Sequence, residues 1–480
     1  MEQGFRTERI PMKTKFGYSM GTMGDVIAFN FFYAYFIYYL TDFAGLPPVM
    51  AGIISMITVW FDAITDPIIG GLSDRSKNPK GRRGPFLIYG AILEYITLIL
   101  MYTVMPIDSV AFKFVWYLII GCSFWLGYTL FVIPFLALGA ELTQDYEERN
   151  ALSTFRGIFI YVASWFGTAG PMVVIAFVER AGIGEKWAWT IGAVVFGAIA
   201  LIGAIICRVT INGKELIAGE SNMKRESIGR ILISYFGMLR YRAYRFYIYM
   251  VFVFCIAYTM EQGSLVYLMG NKLGLSAGLQ SSYWTFFAVF SIVLLPLINR
   301  VCNKYGKLKG SAFFYLVATL GMFICYFTQI PNYTILIVHC FCFCIANSVY
   351  WTIGYSMMFD TAEVMEFKNG TRDEGKVTGM GSFAQKLASS FGAWGLGMLL
   401  AFFHYDANAA VQAPETMSGF VKIAALFPGI LLILTAVICI FNPLSREKFN
   451  LLMEKLAKKR PEKKSRMKES RICSDQAALR

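Results

Sequence analysis

Asp62 and Asp66 stand four residues apart in the apolar run Trp60-Phe-Asp-Ala-Ile-Thr-Asp-Pro67. On a helix that spacing puts both carboxylates on one face, about one turn apart. Two bare like charges in hydrocarbon repel each other and lose hydration. The pair becomes tolerable if a small cation sits between the carboxylates, or if one of them is protonated. Pro67 lacks an N–H, so the carbonyl of Ala63 loses its helical donor and can face an ion. Hard cations such as sodium take oxygen ligands, whereas a proton needs only the carboxylates. The plainer alternative is a pair of helix-end acids solvated by water.

Five further charged side chains fall within or near apolar runs. They are Asp25, Arg156, Glu261, Asp360 and Lys386. Lys386 lies in Ser382-Phe-Ala-Gln-Lys-Leu-Ala-Ser-Ser390, where an unpaired ammonium is costly. It needs a carboxylate or an anionic ligand, unless its stem lets the charge reach water. The same escape is open to Arg156. Asp25 and Glu261 can equally be hydrogen-bonded structural acids, and Asp360 can form a gating ion pair or a cap. Aromatic rings such as Phe29, Tyr33, Tyr128 and Trp351 offer flat faces on which a sugar can pack.

The chain that must position these groups has 480 residues, 56% hydrophobic and 16% charged. Soluble globular proteins carry about 25% charged residues. Apolar runs long enough to cross a bilayer recur throughout, so the sequence predicts an all-α, polytopic membrane protein. Twelve spans are expected, in two pseudo-symmetric six-helix bundles. Residues 1–211 form the first bundle, 212–245 a basic linker, 246–442 the second bundle and 443–480 a basic tail. Basic residues gather between alternate spans, which predicts that both termini are cytoplasmic. The net charge of +13 belongs to those loops and the tail, where it favours anionic lipid and not nucleic acid. The turn after the second span, with Asp74, Arg75, Arg82 and Arg83, is a candidate cytoplasmic latch. The turn at residues 299–309 occupies the corresponding place in the second half, residues 363–372 correspond to the polar segment at 141–149, and Asp360 and Glu363 are further gating candidates.

No catalytic triad, metal cluster or phosphate loop is visible. The ten cysteines lie mostly in apolar runs, and the two histidines make no metal motif with them. An enzyme is therefore not expected, and no cofactor is called for beyond a coupling cation. The long first apolar run behind a charged N-terminus argues against a cleaved leader.

Four segments carry a resemblance to a known family: Tyr39-Leu-Thr-Asp42, Phe61-Asp-Ala-Ile-Thr-Asp-Pro67, Tyr128-Thr-Leu-Phe-Val-Ile-Pro134 and Lys386 in its small-residue helix. Over residues 16–443 the chain resembles the glycoside–pentoside–hexuronide:cation symporters, a branch of the major facilitator superfamily that includes melibiose permease. The resemblance implies alternating-access symport of a sugar or glycoside with sodium or a proton across a bacterial cytoplasmic membrane. It implies a cation site of Asp62, Asp66, Thr65 and Thr129, with the two aspartates as the metal ligands if the ion is sodium. The asparagine of melibiose permease is Thr65 here, which leaves the cation open. It implies substrate contacts at Lys386, Arg156, Trp351 and Tyr128, and Asp25 and Gln385 complete the candidate set. Two sugar-binding acids of melibiose permease are replaced by Val26 and Val132, and a tryptophan by Leu136. With those acids gone while Arg156 and Lys386 remain, an anionic sugar such as a hexuronide is a reasonable substrate, unless Asp25 or Glu261 restores the balance. A carrier for a lipid or another organic solute is the alternative.

Overall fold

The structure is a computed structural model. It describes residues 10–76, 78, 81–142, 146–182, 184–212, 228–369, 374–409, 411–456 and 458. Among them there is no strand. Six long helices make the first half: α1 (Met12–Asp42), α2 (Pro48–Arg75), α3 (Gly84–Met101), α4 (Val110–Leu142), α5 (Tyr146–Arg180) and α6 (Glu185–Ile211). The short helix α7 (Ile228–Met238) follows, within the segment read as a linker. The second half holds α8 (Arg242–Tyr267), α9 (Ala277–Tyr305), α10 (Lys307–Thr328), α11 (Tyr333–Val349), α12 (Tyr355–Asn369), α13 (Glu374–Phe402), α14 (Pro414–Val421) and α15 (Phe427–Phe441). A π-helical turn at Tyr350–Gly354 joins α11 to α12, and another at Lys422–Leu426 joins α14 to α15. Each joined pair is one rod, so the second half also has six.

Ten of these rods are long and apolar enough to cross a membrane. α1 and α13 have the length, 31 and 29 residues, but carry more polar side chains. Their neighbours explain this. α1 packs on α5 and α6 of its own bundle and on α8 of the other; α13 packs on α8 and on α2 across the interface. Helices at the centre of a bundle are screened from lipid by protein and tolerate polar side chains.

The halves meet along α2–α13, α5–α9 and α1–α8. Near the start of α2 the approach is backbone on backbone. A Cβ added to Gly52 would lie 3.2 Å from the Trp394 carbonyl oxygen and 3.3 Å from the Gly397 Cα. Small residues permit such closeness between membrane helices. Around this contact sits a cap of polar bonds. Tyr405 donates to Asp42 at 2.5 Å, and Thr41 and Tyr267 share a hydrogen bond of 2.7 Å. We call this the capped end, and the opposite end, where α1 begins, the basic end.

Helix runs into the polar stretch from Glu141 to Asn150 from both sides: α4 reaches Leu142 and α5 starts at Tyr146. Hydropathy marks where lipid ends, not where the helix does. Arg156 therefore lies nearly three turns inside α5. Between α9 and α10, only Gly306 interrupts the helices; its φ of 92° and ψ of 147° suit glycine alone. Much of the basic linker (213–227), the loop 370–373 and the tail from 459 onward lie outside the described residues.

Candidate functional site

α2 carries Asp62 and Asp66 on the face turned to α4 and α13. The helix continues through Pro67 to Arg75, so the proline removes one donor without ending it. Asp62 is fully buried. Thr129 of α4 donates to Asp62 Oδ1 at 2.6 Å and lies 3.2 Å from Asp66 Oδ1. One hydroxyl proton serves two acceptors, and the shorter contact goes to the deeper acid. The Thr65 hydroxyl donates to the Asp62 carbonyl at 3.0 Å, one turn back on its own helix.

Lys386 does not snorkel. Its ammonium lies 2.6 Å from Asp62 Oδ2 and 2.5 Å from Asp66 Oδ2, with 14% of the side chain exposed. It also sits 6.0 Å above the Tyr128 ring. The lysine comes from α13 and the aspartates from α2, so this is an ion pair across the two bundles.

A second polar cluster adjoins the first. Tyr128 donates to Asp25 Oδ1 at 2.9 Å, and Arg156 reaches Asp25 Oδ2 at 3.2 Å. Arg156 also lies 5.8 Å from the Phe135 ring centre. Asp25 is thus inside the site, although it stands one position from the acid of melibiose permease. Val26 packs instead with the small apolar cluster around Met23 and Ile27. The two cations that seemed free in the sequence are both engaged.

Three carboxylates (Asp25, Asp62, Asp66) face two fixed cations (Arg156, Lys386). With every acid ionised, the site carries one negative charge in excess. A single monovalent cation balances it.

On the other wall, the π-helical turn at Tyr350–Gly354 presents Trp351, 36% exposed and stacked on Tyr355 at 5.8 Å. Such turns often mark functional positions in membrane helices. Tyr350 donates to Gln385 Oε1 at 3.2 Å, which fixes the residue next to Lys386.

Two of the latch candidates pair within their own bundle. Arg83 pairs with Asp74 across the α2–α3 turn. Asp360 binds Lys307 of α10, with contacts of 2.6 and 2.7 Å. Arg75 ends α2 and Arg82 lies in the same turn; Glu363 follows Asp360 by one turn on α12. Glu148 pairs with Lys15 of α1 at 2.8 Å.

Sequence reading missed several groups. Lys307 looked like one more loop base, and Asp42 and Tyr405 are 363 residues apart and meet only through the fold. Glu94, buried on α3 with Oε1 lacking a partner, could have been found as an acid in the apolar run Ala91-Ile-Leu-Glu-Tyr-Ile.

With this geometry in hand, the comparisons are informative. A model of the MFS/sugar transport protein family matches residues 17–446. The uncharacterized symporter YjmB of Bacillus subtilis (strain 168) is 27% identical over 442 residues, covering 89% of this chain and 91% of that protein. The glucuronide carrier protein homolog of Escherichia coli (strain K12) is 26% identical over 462 residues, covering 92% and 94%. Among solved structures, a D-xylose-proton symporter superposes with a TM-score of 0.59 at 18% identity, covering 89% and 95%, and shows the shared fold. The chain is thus a multi-pass membrane transporter, not an enzyme, with the two-bundle major facilitator fold, and it belongs to the MFS/sugar transport protein family.

Proposed function

We propose that the protein is a cation-coupled symporter of an anionic sugar of the hexuronide class. The observation that carries this reading is the ammonium of Lys386 held between Asp62 and Asp66. In this arrangement the lysine stands where a coupling cation would stand, and it ties the two bundles together.

Coupling follows from competition for the two carboxylates. A sodium ion or proton that enters the Asp62–Asp66 pair satisfies them without Lys386. The ammonium is then released in a dry interior, where it needs a new anionic partner. The carboxylate of a uronic acid supplies one. Tyr128 and Trp351 offer faces for the sugar ring, while Asp25 and Gln385 can accept and donate to hydroxyls. Each ligand raises the affinity for the other, because each removes a cost of binding the other. Loss of the cross-bundle ion pair frees α2 from α13 and lets the bundles rock about the site. The basic end then faces the cytoplasm, and Asp74–Arg83 and Lys307–Asp360 stiffen the helix ends that move there. The likeness to the glucuronide carrier homolog supports the substrate class.

The test is uptake by proteoliposomes against a panel of hexuronides and neutral glycosides, with sodium and proton gradients imposed separately. Glucuronides should accumulate with one of the two gradients. Asp62→Asn should abolish accumulation while exchange down a sugar gradient persists. Intact gradient-driven accumulation in that variant removes the site from the mechanism. Accumulation of neutral glycosides that uronides fail to inhibit removes the substrate class and leaves the cation site standing.

A further inference from the structure

The second bundle contains a buried acid that the mechanism above leaves idle. Glu261 of α8 is fully buried, and neither carboxylate oxygen has a hydrogen-bond partner. His339 of α11 is equally buried, with its Nδ1 3.8 Å from Glu261 Oε1. The other ring nitrogen, Nε2, lies 3.1 Å from the Ala424 carbonyl oxygen. A carbonyl only accepts, so Nε2 carries the hydrogen and Nδ1 of the neutral ring presents its lone pair. That lone pair faces Tyr283 Oη at 3.3 Å and, beyond it, Glu261.

An ionised carboxylate in this place would have no donor at all, which protein interiors rarely allow. A protonated one has an O–H to offer and a nitrogen lone pair nearby to receive it. Closing the 3.8 Å gap to hydrogen-bond length needs a shift of about 1 Å. The other titratable groups around the acid are Tyr258 on its own helix, Tyr283 on α9, and Cys340 and Cys344 on α11. The turn after α14 contributes the Ala424 carbonyl. Among the described residues no three His, Cys, Asp or Glu side chains converge as metal ligands, which leaves the proton as the ligand these groups suit.

We propose that Glu261 and His339, with Tyr283, form a second proton-binding site. It is separate from the Asp62–Asp66 pair. Tyr283 and His339 each lie six residues from the capped-end start of their helices, roughly 9 Å down at 1.5 Å per residue. Asp62 lies fourteen residues along α2 from that end, roughly 21 Å down. The proton moves from Glu261 Oε1 to His339 Nδ1, leaving a carboxylate beside an imidazolium whose Nε2–H stays on Ala424.

The experiment uses the full-length protein in lipid vesicles and protons alone as the probe, and so does not depend on the transported substrate. Infrared difference spectra are recorded as the bulk pH is raised, in H2O and in D2O. The wild type should lose a deuterium-sensitive C=O band of a protonated carboxyl. Glu261→Gln, which matches the acid form in shape, should lack that band, and Asp62→Asn should keep it. In His339→Leu the band should persist but no longer respond to pH. The proposal is overturned if Glu261→Gln retains the band, if the wild type shows no titrating carboxyl, or if His339→Leu titrates like the wild type. Should Glu261→Gln fail to fold, Glu261→Asp serves instead: its band must shift in frequency, and an unshifted band overturns the assignment.

Discussion

Thr129 holds the two acids of the first site in register with one hydroxyl, 2.6 Å from Asp62 and 3.2 Å from Asp66. A hydrogen bond to a charged group contributes about 1.5–3 kcal/mol, so its loss weakens what it supports by about tenfold or more. Thr129→Val keeps the shape and removes the bond. Cation-stimulated uptake in that variant should need at least tenfold more cation for half-maximal effect, and Thr129→Ser should stay near the wild type. Equal cation dependence in all three would mean the threonine is a packing residue. At this scale the sequence was informative where charge met apolar context. Asp62, Asp66 and Lys386 stand out because each is costly alone in hydrocarbon, and the cost says that partners exist. The sequence does not say which partners. That Arg156 takes Asp25, and that Lys386 takes both acids of α2, depends on helix rotations that a one-residue offset changes by about 100°. Thr65 shows the same limit: its position beside the acids is legible, but its preference for the Asp62 carbonyl is not.

Helices that cross a membrane are legible in sequence because the bilayer fixes their length, and twelve rods are what the hydropathy implied. Their ends are less legible. α5 begins six residues before its apolar run because Tyr146–Ala151 can form a helix in water as well as in lipid. Contacts between helices are the least legible, since Gly52 and Gly397 meet across 345 residues with only their size to suggest it. The capped end depends on that approach and on the Asp42–Tyr405 bond. Tyr405→Phe removes the donor and leaves the ring in its edge-on contacts with Tyr267 and Phe420. The prediction is that a cysteine introduced at the buried position Ala393, whose carbonyl borders Gly52 in the contact, reacts faster with a membrane-impermeant thiol reagent added from the capped side. Asp42→Asn combined with Tyr405→Phe should add little, because both changes break one bond. Unchanged labelling in Tyr405→Phe would place the closure on the glycine contact alone.

Across the whole molecule, the charges of the site set how transport responds to the membrane potential. The site as built holds three acids against two bases, and one monovalent cation makes it neutral. In the proposed cycle a hexuronide would then bring one negative charge for the released Lys386 to meet. On that proposal the loaded carrier would hold one cation and one anion more than the empty one, and a full transport cycle would move no net charge. A neutral glycoside carried by the same cation would move one positive charge per cycle, worth about 2.3 kcal/mol for each 100 mV. Proteoliposomes with an imposed potassium diffusion potential separate the two cases. Initial uptake of a glucuronide, driven by a cation gradient, should be the same at zero and at inside-negative potential. Any neutral glycoside that is carried should be accelerated by the negative potential. Potential-driven glucuronide uptake would require more than one cation per sugar. A second ion would then need its own site, and the buried Glu261–His339 pair supplies a place to look: the extra charge should disappear in Glu261→Gln, while the response to the first cation remains.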